Sequence, residues 1–137
     1  MNSKSEVTVR YAETDKMGIV HHSVYPIWYE LARTDFVKIA GLSYNKMEEM
    51  GIMTPLLELE CKYLKPAFYE DELTVEVCIE KMTPVRIIFN YKVYKNNILL
   101  NTGKTMHAFV DKDLKPINAK KKFPEIYEKL EIMQNTW

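Results

Sequence analysis

The sequence predicts an α+β fold in which one curved antiparallel sheet wraps around a single long helix. Two patterns carry that prediction. From Val24 to Ala40 the apolar residues recur with a helical period. From Met53 to Asp111 the chain reads as strand-like runs separated by short turns. Sequential strands with tight turns imply antiparallel pairing, and a broad aromatic helix face needs a large sheet to cover it. At 137 residues, with no composition shift along its length, the chain fits one domain spanning residues 1–137.

Val7 to Tyr11 alternates as a first strand. Ala12 to Ser23 has no period, holds Gly18 and clusters Asp, His and Thr, so it reads as a loop. Ser23 is placed to cap the next helix, and Pro26 is tolerated there because first-turn N–H groups have no intrahelical partner. Stepping about 100° per residue sets Trp28, Tyr29, Ala32, Phe36, Ile39 and Ala40 on one arc roughly 120° wide. Glu30, Arg33, Thr34 and Lys38 fall on the other side, where Glu30 and Arg33 are spaced as a structural ion pair. Gly41 is expected to stop the helix, and a short polar helix follows over Tyr44 to Met50.

Met53 to Tyr63 is a candidate strand of mixed pattern. Leu73, Val75, Val77 and Ile79 alternate against Thr74, Glu76, Cys78 and Glu80, the pattern of a half-buried strand. Val85 to Tyr94 is apolar on both faces and suits a central position. Asn96 and Asn97 form a tight-turn pair, because Asn tolerates positive φ. The next strand runs from Ile98 to about Asp111, with a bulge expected near Gly103. The polar run after Asp111 is a loop, and Glu125 to Met133 is a short terminal helix. The uncovered face or edges of such a sheet argue for a homodimer.

Composition excludes several roles. Lys plus Arg and Asp plus Glu balance at 19 each, which argues against a duplex nucleic-acid partner. Cys61 and Cys78 are too few for a disulfide scaffold, and Cys78 reads as a structural thiol on a regular strand. No apolar run reaches membrane-spanning length and the start lacks a signal-peptide core, so a cytoplasmic protein with no membrane partner is expected. There is no GxSxG elbow, P-loop, GxGxxG or CxxC motif, and none of Ser3, Ser5, Ser23 and Ser43 sits in a nucleophile turn. His21, His22 and His107 lack the spacing of a metal site, so neither metal nor cofactor is expected.

The chemistry therefore concentrates between Tyr11 and Arg33. A loop directly before a helix presents free backbone N–H groups at the positive end of the helix dipole, and those donors can hold a developing oxyanion. Asp15 in the same loop can activate water or attack directly, although a lone loop Asp is otherwise a turn or cap residue. Gly18 would let the backbone approach a ligand closely. Ester or thioester hydrolysis needs little more.

The run R-Y-A-E-T-D-K-M-G-I-V-H-H-S-V-Y-P-I-W-Y-E-L-A-R-T resembles the signature of the hotdog-fold acyl-CoA thioesterases, specifically the 4-hydroxybenzoyl-CoA thioesterase family with its Tol-Pal-associated branch. The likeness continues through G-L-S-Y-N-K-M, Y-L-K-P-A-F-Y-E-D-E-L and K-T-M-H-A-F-V-D, and loosens after about Lys115. The resemblance implies a hotdog fold, an acyl-CoA substrate and a dimer or a homotetramer of paired dimers. It carries the catalytic Asp onto Asp15. It carries the residue whose backbone N–H polarises the thioester carbonyl onto His22, whose side chain is available to assist. It implies an active site at the dimer interface, with the coenzyme A nucleotide near the surface.

Around that centre, Lys62, Lys65 and Arg86 offer positive charge for coenzyme A phosphates, or else are solvated strand-edge charges. Tyr25 and Trp28 line the acyl pocket or belong to the core. Because another hotdog branch carries its carboxylate on the helix, Glu30 is a control position. The expected function is acyl-CoA hydrolysis, with Asp15 attacking or deprotonating water. The alternatives are hydrolysis of acyl groups on acyl carrier protein and a non-catalytic acyl-CoA-binding module; the hydratase branch uses an Asp–His arrangement not matched here.

Overall fold

A computed structural model of the chain describes residues 2–134. Five strands, β1 (Asn2–Thr8), β2 (Leu56–Tyr63), β3 (Glu72–Met82), β4 (Arg86–Lys95) and β5 (Ile98–Ala108), form one antiparallel sheet in the order β1-β3-β4-β5-β2. Helix α1 (Tyr25–Ile39) lies on one face. The shorter α2 (Tyr44–Met50), α3 (Ala119–Lys122) and α4 (Pro124–Ile132) complete the described chain. This is the α+β arrangement that the sequence predicts.

Side chains explain the layering. Alternate residues of the central strands, Leu73, Val75, Val77 and Ile79 on β3 and Ile87, Phe89, Tyr91 and Val93 on β4, are buried in the same core as Tyr25, Trp28, Tyr29, Ala32, Phe36 and Val37 of α1. The helix and sheet meet through rings: Tyr29 stacks on Tyr91 with centroids 4.3 Å apart, and Phe36 meets Phe89 edge-on at 6.1 Å. Ile39, expected on the buried arc, is 56% exposed because it is the last helical residue; Val37 is buried in that turn instead.

Four local expectations change. Strand β1 begins at Asn2, five residues before the predicted start, because small polar residues occupy its inward positions. Ser3 and Ser5 are buried, and Ser5 donates to Asp35 Oδ2 at 2.6 Å, so hydrophobic alternation does not mark them. Strand β2 does not neighbour β3 but pairs with β5 at the far edge. The expected bulge lies not at Gly103 but at Leu100, between the pairs Val93–Asn101 and Tyr94–Leu99. Gly103 is where the Tyr29 ring rests on the sheet, and a Cβ there would overlap that ring. Within the predicted loop after Asp111, Ala119–Lys122 forms a helical turn because the Asn118 side chain accepts the Lys121 N–H and Ala119 is buried.

The outer sheet face carries polar residues such as Glu76, Lys92, Thr102, Lys104 and Glu60, so it needs no cover. Edge strand β2, by contrast, carries a run of apolar residues, Leu56, Leu57, Leu59 and Tyr63, each about half exposed. No helix among the described residues is long and apolar enough to cross a membrane.

Candidate active site

Asp15 occupies the tip of a small hairpin. Thr14 pairs antiparallel with Val20, Asp15 N–H donates to the Ile19 carbonyl at 2.9 Å, and the Asp15 carbonyl accepts the Gly18 N–H at 2.9 Å. This three-residue loop closes because Gly18 takes φ 81°, a left-handed value that side chains disfavour. Asp15 Oδ1 accepts the Met17 N–H at 2.8 Å, and no other hydrogen bond among the described residues uses the carboxylate. One oxygen is thus fixed by the turn while Oδ2 is uncommitted.

The hairpin is moored on both sides. The Val20 N–H donates to the Ala67 carbonyl and the His21 N–H to the Glu13 carbonyl, each at 2.9 Å. Glu13 itself is buried, with Oε1 accepting the Arg10 N–H at 2.8 Å and Oε2 facing the Arg10 guanidinium at 3.4 Å. These bonds tie the segment bearing Asp15 to the start of the helix.

That start is a short 3₁₀ turn, His22–Val24, leading into α1. Its cap is not Ser23 but His21, whose Nδ1 accepts the Ser23 N–H at 3.2 Å; the extra turn moves the cap two residues upstream. His22 is exposed, and its N–H, the first of the turn, has no acceptor among the described residues. The carbonyl of His22 accepts the Tyr63 hydroxyl at 2.8 Å. An N–H without an acceptor at the positive end of a helix is a donor for developing negative charge.

Between helix start and sheet end lies an open cavity of about 240 Å³, lined by Ile19, Val20, Tyr25, Tyr63, Leu64 and Lys65 with Pro66. The Leu100 bulge shapes its far wall, because that residue's carbonyl accepts the N–H groups of both Leu64 and Lys65 at 2.9 and 3.0 Å. Tyr25 and Tyr63 meet edge-on at 5.4 Å. Burial, then the Cys61 thiol, raises both phenols above their ordinary range, Tyr63 to about 12, so both stay protonated at neutral pH.

The other sequence-predicted positions separate. Tyr25 and Lys65 border the cavity, whereas Trp28 is buried behind Tyr25, edge-on at 5.1 Å. Lys62 lies on the outer face, 3.3 Å from Glu60. Arg86 opens β4 at the opposite end of the sheet, about 23 Å along the strand from Val93, so one chain does not bring it to Asp15. Glu30 and Arg33 do not form the expected ion pair; Arg33 Nη1 donates to the Tyr91 hydroxyl at 3.0 Å instead. Tyr63 is the neighbour that residue-level reasoning missed; its only sequence signal was an aromatic residue shortly before Pro66. Among the described residues no cluster of three or more His, Cys, Asp or Glu could hold a metal.

Comparison with known proteins gives the family. A family model described as the thioesterase-like superfamily matches residues 9–130. A Bacillus subtilis protein named "Putative acyl-CoA thioesterase YneP" is 39% identical over 132 residues, covering 93% of this chain and 96% of that protein. The DHNA-CoA thioesterase of Staphylococcus aureus superposes with a TM-score of 0.91 at 35% identity, covering 96% of this chain and 89% of that one. A hypothetical protein from Thermus thermophilus gives a TM-score of 0.91 at 34% identity over 99% of this chain and all of its own. The five-stranded sheet wrapped on one long helix is the hotdog fold, and the chain belongs to the thioesterase-like superfamily.

Proposed function

We propose that this member of a thioester-hydrolase family is an acyl-CoA thioesterase, with Asp15 as its reactive carboxylate and the His22 N–H as its polarising donor. One observation carries the reading: an uncommitted Asp15 oxygen and an N–H without an acceptor at His22 stand on two segments bonded to each other beside an open cavity. The thioester carbonyl would sit against the helix start, where its oxygen gains negative charge as the acyl carbon becomes tetrahedral. Asp15 either attacks that carbon or takes a proton from the attacking water. The C–S bond then breaks and the thiolate leaves as coenzyme A. With water as nucleophile the acyl group leaves directly as free acid. After attack by Asp15 it remains on the carboxylate as an anhydride until a water molecule hydrolyses it to free acid and restores Asp15. Thiolates leave without strong protonation, so one carboxylate and one donor suffice. Lys65 on the cavity rim is the cation best placed for a coenzyme A phosphate.

The edge strand supports an assembly through β2. A second copy pairing there would extend the sheet and cover Leu56, Leu57 and Leu59. A cytoplasmic homodimer, or two dimers joined as a tetramer, is the matching state.

Thiol release from a panel of alkyl- and aryl-CoA esters tests the reading, with Asp15→Asn and Glu30→Gln alongside. The expected result is hydrolysis by the wild type and Glu30→Gln, and a loss of at least about 100-fold in Asp15→Asn with unchanged melting. Wild-type rates in Asp15→Asn would sink the mechanism. Single turnover in ¹⁸O-water separates the routes, since only attack by Asp15 can leave label in the protein.

A further inference from the structure

A second cavity, of about 410 Å³, opens against the C-terminal half of α1, where Arg33, Thr34 and Lys38 line it together with Ser43, Tyr44 and Thr54. Arg33 lies about 12 Å along the helix from Tyr25, away from the Asp15 segment. Its guanidinium is only partly exposed, yet no carboxylate among the described residues stands within 4.0 Å of it. A half-buried cation without counter-charge is costly unless something else supplies one.

Glu30 and Glu48 line the same cavity, but neither pairs with the guanidinium. Arg33 Nη1 donates to the Tyr91 hydroxyl at 3.0 Å, and the Tyr91 and Thr105 hydroxyls share a hydrogen bond of 2.6 Å. The Thr54 carbonyl, 3.0 Å from His107 Nδ1, can only accept, so the neutral imidazole carries its proton on Nδ1. Its Nε2 therefore accepts from Thr105 at 2.9 Å, and the Tyr91 hydroxyl donates to Thr105. Every member of this chain is neutral and every proton is placed. His107 stays uncharged because burial, and after it the charge of Arg33, lowers its pKa to about 4. Tyr44, the other hydroxyl beside Arg33, is a phenol that burial keeps protonated. Arg33 has five N–H donors; one goes to Tyr91 and the Tyr44 hydroxyl engages another, so the charge and the remaining donors are available on the cavity side.

We propose that this cavity binds a small organic monocarboxylate, with the Arg33 guanidinium taking both carboxylate oxygens. A planar fork matches one carboxylate, and the volume falls within the range of small-molecule sites rather than that of a bare ion. Glu30 and Glu48 on the rim disfavour a dianion such as phosphate. The Ser43 hydroxyl, whose oxygen accepts the Lys46 N–H, keeps its own proton to donate.

The test is a titration of the full ¹⁵N-labelled chain with benzoate, acetate, benzamide and inorganic phosphate, followed on the Arg33 Nε–H resonance and the backbone amides of Tyr44 and Tyr25. Saturable shifts at Arg33 and Tyr44 with benzoate, absent with benzamide, are expected. Arg33→Lys keeps the charge without the fork and should weaken benzoate binding about tenfold or more. Because Arg33 also holds Tyr91, Thr34→Leu provides a variant that keeps both residues and fills the cavity mouth; it should melt as the wild type and bind no benzoate. Equal binding of phosphate and benzoate would overturn the assignment, as would shifts confined to Tyr25. So would silence from every anion in the folded chain, including the case in which a second copy of the chain covers the cavity.

Discussion

Tyr63, the last residue of β2, donates its hydroxyl proton to the carbonyl of His22 at 2.8 Å and thereby fixes the first turn before α1 to the edge of the sheet. The bond orients a peptide unit adjacent to the N–H proposed to polarise the substrate. Tyr63→Phe removes the bond and little else, because the residue is half exposed. Turnover should fall roughly fivefold, the worth of one neutral hydrogen bond, while the melting temperature barely moves. Steady-state thiol release beside a thermal melt checks it; a large loss of stability with full activity would refute the orienting role.

Gly103 should tolerate no side chain. A Cβ at that position runs into the ring of Tyr29, which stacks on Tyr91 and whose hydroxyl donates to the fully buried Asn101. Gly103→Ala is therefore expected to cost about 1–3 kcal/mol in urea unfolding. Partial recovery when Tyr29→Leu is added would show that the clash is the cause.

The stability of the fold should depend on His107 as the solution is acidified. Its folded pKa, about 4, is lowered from an ordinary value near 6.5. Between those values the unfolded chain takes up a proton that the folded chain does not, so stability falls with pH through that window and levels off below it. The loss is on the order of 3 kcal/mol. Comparing urea midpoints at pH 7 and pH 5 isolates the effect: His107→Gln should start less stable and show a shallower decline than the wild type.

Charge on the β2 edge should separate the copies. Leu57→Lys with Leu59→Lys places like charges along the strand without touching the core, since both side chains are about half exposed. Light scattering should give a dimer or tetramer for the wild type and a monomer for the double variant. An unchanged mass would exclude β2 as the contact.

What the sequence revealed, and what it hid, follows from where each signal resides. Helix α1 and strands β3 and β4 were legible because one apolar face of each is covered by the other, so Trp28, Phe36, Val75 and Phe89 repeat at the period of their element. The Asn96-Asn97 turn was legible from local chemistry, and Asn96 does take positive φ. Strand β1 was misplaced because Ser3 and Ser5 fill its inner face. The position of β2 was hidden because the eight residues 64–71 that carry the chain across the helix leave no periodic mark. At the site, Asp15 and the helix start are neighbours in sequence and so were found together. Tyr63 and the Leu100 carbonyl reach them only through sheet pairing, and no local pattern announces that.

The strand order also sets a timetable. Tyr63 pairs with Asn101, so during synthesis β2 leaves the ribosome well before its partner exists. At about 5–20 residues per second, the gap lasts roughly two to eight seconds. Throughout it Leu56, Leu57 and Leu59 are available to any other unfinished strand, and β1 waits in the same way for β3. The nascent chain must therefore delay closure of its sheet until β5 has emerged, which makes the interval between β2 and β5 the period in which a holding chaperone would matter most.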